Sequence, residues 1–252
     1  MPRQAREKSE TGIYHIMLRG INKQRIFKDS QDKEKLFQTL KYYKKVSGFE
    51  LYGYCFMKNH IHMLIKESLE PISLIMKRIS SSYVYWYNTK YQRCGHLFQE
   101  RFKSEVVEDD AYFFTVLRYI HQNPVKAGIV NKVSDFRWSS FDEYINKSII
   151  IDTDYMFDMF SQDRKEAIKL FTVYTNMQND DQCLDDNEKL KVSDSEIRAI
   201  LLQKSISDTI QLIQLNKQKR NEIIKALKSI EGVTIRQLSR ITGISKSVID
   251  RV

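Results

Sequence analysis

Leu51-Tyr52-Gly53-Tyr54-Cys55-Phe56-Met57-Lys58-Asn59-His60-Ile61-His62-Met63-Leu64-Ile65 reads as two strand-forming runs joined by two polar residues. The runs, Leu51 to Met57 and His60 to Ile65, are rich in aromatic and branched side chains. A connection as short as Lys58-Asn59 joins two strands as a hairpin, so the pairing is antiparallel. Side chains two apart in a strand share a face, so His60 and His62 project together while Ile61 points into a core.

On either side of this hairpin the pattern alternates between helix and strand. Upstream, Ile13-Tyr14-His15-Ile16-Met17-Leu18 is a strand-forming run that ends at Arg19-Gly20. Asp32 to Val46 places Leu36, Leu40, Tyr43 and Val46 at helical spacing before Ser47-Gly48 ends the run. Downstream, Pro71 opens a helix with Ile72, Ile75, Ile79, Tyr83, Trp86 and Tyr87 at threes and fours. Leu97 to Val107 predicts a further strand carrying Phe98, Arg101 and Lys103, and Asp109-Asp110 caps a helix through Phe113, Val116, Leu117 and Ile120. Pro124 limits that helix, which puts Asn123 at its end, and Gly128 completes the turn. This order predicts an α+β fold over residues 9–147, a ferredoxin-like palm with an antiparallel sheet and helices on one face.

The remainder reads as a helical extension and acidic linker (148–216) followed by an all-α helix-turn-helix domain (217–252). Arg164 to Tyr174 is helical, and Asn176 to Glu188 is polar and acidic, as a linker would be. Lys217 to Ile230 puts Ile223, Ile224, Leu227 and Ile230 on one face. In Thr234-Ile235-Arg236-Gln237-Leu238-Ser239-Arg240-Ile241-Thr242-Gly243-Ile244-Ser245, small Ser239 stands four residues before Gly243 among apolar positions, the spacing of a helix-turn-helix. Its second helix would start at Ser245 and offer Lys246, Ser247 and Arg251 to duplex DNA.

The 252 residues carry a net charge of +9, and its placement is uneven. Residues 1–147 hold 25 Lys and Arg against 16 Asp and Glu, while residues 148–252 hold 16 of each. Within the latter, 148–216 is acidic and 217–252 basic, so two basic regions flank an acidic middle. A basic surplus of this kind is the footprint of a polyanionic partner. The three cysteines are too scattered for a disulfide framework or a zinc knuckle. The N-terminus lacks the apolar core of a signal peptide, and no apolar run reaches the roughly 18 residues of a membrane span. The expectation is a cytoplasmic, nucleoid-associated bacterial protein, monomeric or homodimeric, that meets no membrane.

The chemistry resides in His60, His62 and the segment Arg118-Tyr119-Ile120-His121-Gln122-Asn123-Pro124. Four residues apart in a helix, Tyr119 and Asn123 share a face, whereas His121 lies about 200° round from Tyr119. Two imidazoles, an amide oxygen and a phenol suit attack on a phosphodiester polarised by a divalent cation. No carboxylate is close enough in sequence to complete the ligand set, Glu67 being too far along the strand, while Asn123 offers its side-chain oxygen. Two imidazoles lean toward zinc or manganese rather than magnesium. A phenol with an ordinary pKa near 10 needs help from a metal or from bases such as Arg118 and Lys126. Taken one at a time, each group has a plain structural reading as well, a polar strand face or a buried helix aromatic.

Five segments carry a resemblance. Leu18-Arg19-Gly20-Ile21-Asn22-Lys23-Gln24-Arg25-Ile26-Phe27, Met57-Lys58-Asn59-His60-Ile61-His62, Phe98-Gln99-Glu100-Arg101-Phe102-Lys103, Tyr119 through Gly128, and Trp138-Ser139-Ser140-Phe141 resemble, in order, the single-tyrosine HUH transposases, REP-associated branch. The resemblance implies that Tyr119 is the nucleophile, that His60, His62 and Asn123 hold Mg²⁺ or Mn²⁺, and that the partner is single-stranded or hairpin DNA. Lys58 stands where the family usually has proline. It alters the hairpin turn and adds a candidate phosphate contact beside Arg19, Arg101, Lys103 and Lys126. The C-terminal segment is similar to the DNA-binding domain of the bacterial replication initiator. The alternative from another class is a domesticated DNA-binding or regulatory protein without strand transfer. An RNA-binding palm is disfavoured, because two histidines stand where such a sheet stacks bases on aromatics.

Overall fold

The computed structural model describes residues 6–184, 194–203, 206, 209–230 and 233–251, and the chain divides into two compact units, 1–185 and 186–252. The first unit runs β1 (Ile13–Arg19), α1 (Ser30–Ser47), β2 (Glu50–Phe56), β3 (His60–Lys66), α2 (Ile72–Lys90), β4 (Lys103–Val106) and α3 (Asp110–Lys126), then α4 (Phe141–Ile145), α5 (Asp154–Phe160) and α6 (Arg164–Asn176). The four strands form one sheet in the order β2-β3-β1-β4, with every neighbouring pair antiparallel. The β2–β3 hairpin and the α+β class are as the sequence predicts.

Strand alternation sorts the sheet into two faces. Ile16, Leu18, Ile61, Met63 and Phe56 are buried on one, where α1 and α2 pack through contacts such as Phe37 on Tyr54 and Tyr83 on Phe27. Helices were expected on one face only; α3 also crosses the opposite face, the one that carries the histidines. It lies close there because Gly53 has no side chain: a Cβ at this position would sit 2.7 Å from Leu117 Cδ1. The helix that bears the tyrosine is therefore seated directly on the strands that bear the histidines.

Three boundaries differ from the sequence reading. The strand expected over Leu97 to Val107 is confined to Lys103–Val106, with an isolated bridge between Gly20 and Phe98. Leu97, Phe98, Phe102 and Val107 are all buried, a pattern that breaks the two-residue period and so cannot be one continuous strand. Pro124 lies inside α3 rather than ending it, and the turn comes at Gly128, whose φ of +65° is in the left-handed region. Asn123 thus sits within the helix, held more firmly than at a frayed end.

The third difference concerns the acidic linker. Ile150, Ile151, Met156, Phe157, Phe171 and Cys183 belong to the same apolar core as the sheet, so the first unit does not stop at residue 147. The part of the expected linker that is described, 176–184, is strapped along α3. Arg118 binds Asp181 through two hydrogen bonds of 2.7 and 2.9 Å, Gln122 Nε2 donates to the carbonyls of Thr175 and Met177, and Lys126 Nζ donates to Asn179 Oδ1. Its polarity serves these contacts rather than solvation; residues 185–188 of the expected linker lie outside the described residues.

The second unit contains α7 (Asp194–Gln203), α8 (Thr209–Gln214), α9 (Lys217–Lys228), α10 (Ile235–Thr242) and α11 (Lys246–Arg251) around Ile197, Leu212, Ile224, Leu227, Leu238 and Ile249. Its core thus draws on residues before 217. Thr234 caps α10 by accepting from Gln237 N–H, and Gly243, at φ +70°, makes the turn toward α11. Among the described residues no helix is long and apolar enough to cross a membrane.

Candidate functional site

The β3 register sets the site. His62 lies opposite Met17 on β1 and Cys55 on β2, while His60 lies opposite Arg19. The two imidazoles have ring centres 5.0 Å apart at right angles. Across from them α3 brings Asn123 Oδ1 to 3.3 Å from His60 Nε2, and Tyr119 sets its ring edge-on to His62 at 5.6 Å. The Tyr119 ring is almost wholly buried, and Lys126 Nζ stands 5.5 Å from its centre. The structure thus brings together the four residues expected to do the chemistry.

A residue the sequence reading missed completes the arrangement. His15 Nε2 is 3.0 Å from His62 Nδ1, and His15 Nδ1 faces Glu105 Oε2 at 3.7 Å. Although burial alone would raise the Glu105 pKa, the neighbouring His15 and Tyr112 side chains and a hydrogen bond from the Leu184 N–H hold it below the ordinary carboxylate value. Glu105 is therefore an acceptor, which turns His15 Nδ1–H toward it and leaves Nε2 to accept from His62 Nδ1–H. The consequence falls on His62 Nε2, a buried atom with a bare lone pair and no hydrogen-bond partner among the described residues. Burial, reinforced by His15, His60 and Arg19, keeps His62 well below its usual pKa and hence neutral. His60 Nδ1 lies 2.8 Å from Asn59 Oδ1 and Nε2 3.3 Å from Asn123 Oδ1; in the tautomer that gives Nδ1–H to the shorter contact, Nε2 meets Asn123 Oδ1 acceptor to acceptor.

Three electron-pair donors that lack protons between them are what a divalent cation satisfies, so these side chains fit a metal. Among the described residues no group of three His, Cys, Asp or Glu side chains is placed to hold one, so a third side-chain donor at this place would be the Asn123 amide. The signal for His15 in the sequence is a lone histidine within an apolar strand run, but the register that points it at His62 is not written there.

The expected phosphate contacts fall in different places. Arg19 and Lys103 lie on the histidine face, opposite His60 and Met17 respectively. Lys58 is exposed at the hairpin turn. Arg101 is exposed outside the strand, lining a cleft of about 550 Å³ with Tyr85 and His96. Lys246, Ser247 and Arg251 are exposed on α11 of the second unit, where Arg251 Nε donates to the Ser247 carbonyl.

His121 faces away, as its helical phase predicts. It is fully buried against Phe141, Tyr144 and Phe171, with Nε2 2.8 Å from Ser140 Oγ, and burial pushes its pKa down to about 3. The unfolded chain binds a proton near pH 6.5 that folded His121 refuses until about pH 3. Stability is therefore full above the upper value and falls as pH drops, by up to about 1.4 kcal/mol per unit. Urea midpoints followed by circular dichroism should decline between about pH 7 and about pH 5, and less steeply in His121→Gln.

Residues 8–123, from just before β1 to Asn123, match the family described as "Transposase IS200 like". Over these residues, fewer than half of the 252, the chain is similar to that family. A Haemophilus influenzae protein described as a REP-associated tyrosine transposase is 27% identical over 124 residues, 44% of this chain and 68% of that one. A solved REP-associated tyrosine transposase bound to a REP hairpin superposes with a TM-score of 0.51 at 18% identity, covering 61% of this chain and 90% of that one. The covered part of the chain thus has the fold of that protein, and the family match ends at Asn123, the last of the four clustered residues.

Proposed function

We propose that this protein cleaves and rejoins single-stranded, hairpin-flanked DNA through a 5′-phosphotyrosine on Tyr119, with Mg²⁺ or Mn²⁺ held by His60, His62 and Asn123. The observation that carries the reading is the bare His62 Nε2 next to the paired acceptors of His60 and Asn123, all beside a tyrosine. When bound, the cation would polarise a non-bridging phosphate oxygen and offset its charge. Arg19 and Lys103 hold the strand by its phosphates along the histidine face. Tyr119 Oη attacks phosphorus as the P–O3′ bond breaks; the phenol gives up its proton, and the departing oxygen takes one to become a 3′ hydroxyl. Lys126 Nζ stands 5.5 Å from the centre of that ring, a cation on the tyrosine's side of the site. The phosphotyrosine conserves the bond energy, so a second 3′ hydroxyl reverses the step and joins strands without ATP.

The hairpin held by the solved relative is the basis for a hairpin partner here. In the second unit, Lys246, Ser247 and Arg251 on the helix after Gly243 would contact duplex DNA in the manner of a helix-turn-helix. The test is incubation of purified protein with end-labelled hairpin-flanked strands from the DNA beside its own gene, with and without Mg²⁺ or Mn²⁺. Metal-dependent cleavage that leaves a free 3′ hydroxyl supports the proposal. Tight binding without cleavage in either metal would favour the domesticated DNA-binding protein.

A further inference from the structure

Beside the hairpin turn lies a pocket of about 430 Å³ that no step above uses. Phe27, Phe136 and Trp138 line it, and Lys33 of α1 reaches among them, its Nζ 5.8, 5.3 and 5.5 Å from the three ring centres. Lys33 is half-buried, and among the described residues its ammonium meets these rings and no carboxylate or hydrogen-bond partner. Burial lowers its pKa. Asp29 is also on the rim, but both of its oxygens are engaged by Lys90 at 2.8 and 2.9 Å. The rim is completed by Lys58, two residues before His60.

Aromatic walls, an ammonium with three hydrogen-bond donors to spare and a second lysine at the mouth form a site for a flat, acceptor-bearing ring attached to an anion. A base stacked within a duplex cannot enter such a recess, whereas an unstacked one can. The backbone places the pocket next to the reaction: Ile26 N–H donates to the Lys58 carbonyl, and Phe56 N–H to that of Trp138, so the walls are tied to the strand ends that lead into His60. We propose that this pocket takes one unstacked base of the DNA strand that crosses the histidine face, stacked on Phe136 with Trp138 as the neighbouring wall, with Lys33 donating to the base and Lys58 to a neighbouring phosphate. This rests on the single-strand reading above and adds a recognition site to it.

The experiment is a binding titration of the full chain with a fluorescent hairpin oligonucleotide carrying single-stranded flanks, drawn from the DNA beside its own gene. Each flank position is replaced in turn by an abasic residue, and the series is repeated with Lys33→Met and Phe136→Ala. The proposal expects one position whose abasic form weakens binding about fivefold or more, the lower range for loss of a stacked base, and expects that penalty to vanish in Phe136→Ala. If a variant fails to fold, quenching of Trp138 fluorescence in a Trp86→Phe background takes its place; the quench should be lost at that same position. Equal or additive penalties at every position, with unchanged quenching, would overturn the pocket alone. No binding of the intact oligonucleotide by folded wild-type protein would overturn both the pocket and the single-strand reading.

Discussion

Tyr119→Phe should abolish the covalent DNA adduct and slow cleavage at least about a thousandfold, the scale on which loss of an attacking group acts. The substitution removes one oxygen and leaves the ring, so its edge-on contacts with His15 and His62 are kept. DNA affinity should therefore stay within about twofold of wild type, a difference of about 0.4 kcal/mol. Cleavage on a denaturing gel and binding by titration, measured on the same preparation, separate the two effects. Equal loss in both would mean that Tyr119 holds the strand rather than attacks it.

The second large effect is expected at His15. Its ring packs against both His62 and Tyr119 and would act on a bound cation through His62, as a positioning residue; His15→Phe keeps the ring volume while removing the acceptor for His62 Nδ1–H. Freed from that bond, His62 takes up the other tautomer or turns, and Mn²⁺ affinity should fall about 10- to 100-fold, as for other residues that orient a metal ligand. Isothermal titration with Mn²⁺ reads this without DNA or turnover. His15→Gln, whose amide can accept from His62 and donate to Glu105, should recover part of the loss. Unchanged affinity in His15→Phe would reduce the Glu105–His15–His62 chain to packing.

The palm and its four central residues were legible because they rest on local rules. A two-residue connection forces a hairpin, strand alternation puts His60 and His62 on one face, and a helical turn aligns Tyr119 with Asn123. What was not legible depends on register and on contacts distant in sequence. His15 meets His62 only because β1 pairs with β3 in one register, and Glu105 joins them only because β4 pairs with β1. The strap over α3 looked like solvated linker because Asn179 and Asp181 are polar; their partners, Lys126 and Arg118, lie more than fifty residues earlier. Arg101 was placed on a strand by composition, while the burial of Phe98 and Phe102 draws that segment off the sheet.

The central claim is that Tyr119 is the group that takes the 5′ phosphate at a site made by His60, His62 and Asn123. Its most direct test is mass spectrometry of the protein after incubation with a hairpin-flanked strand and Mn²⁺, digestion by nuclease and protease, and location of the residual nucleotide. The account predicts a 5′-linked nucleotide on the peptide that contains Tyr119, absent when the metal is chelated or when His62 is replaced by alanine. A nucleotide on any other residue, or an adduct that forms equally without metal, would contradict it.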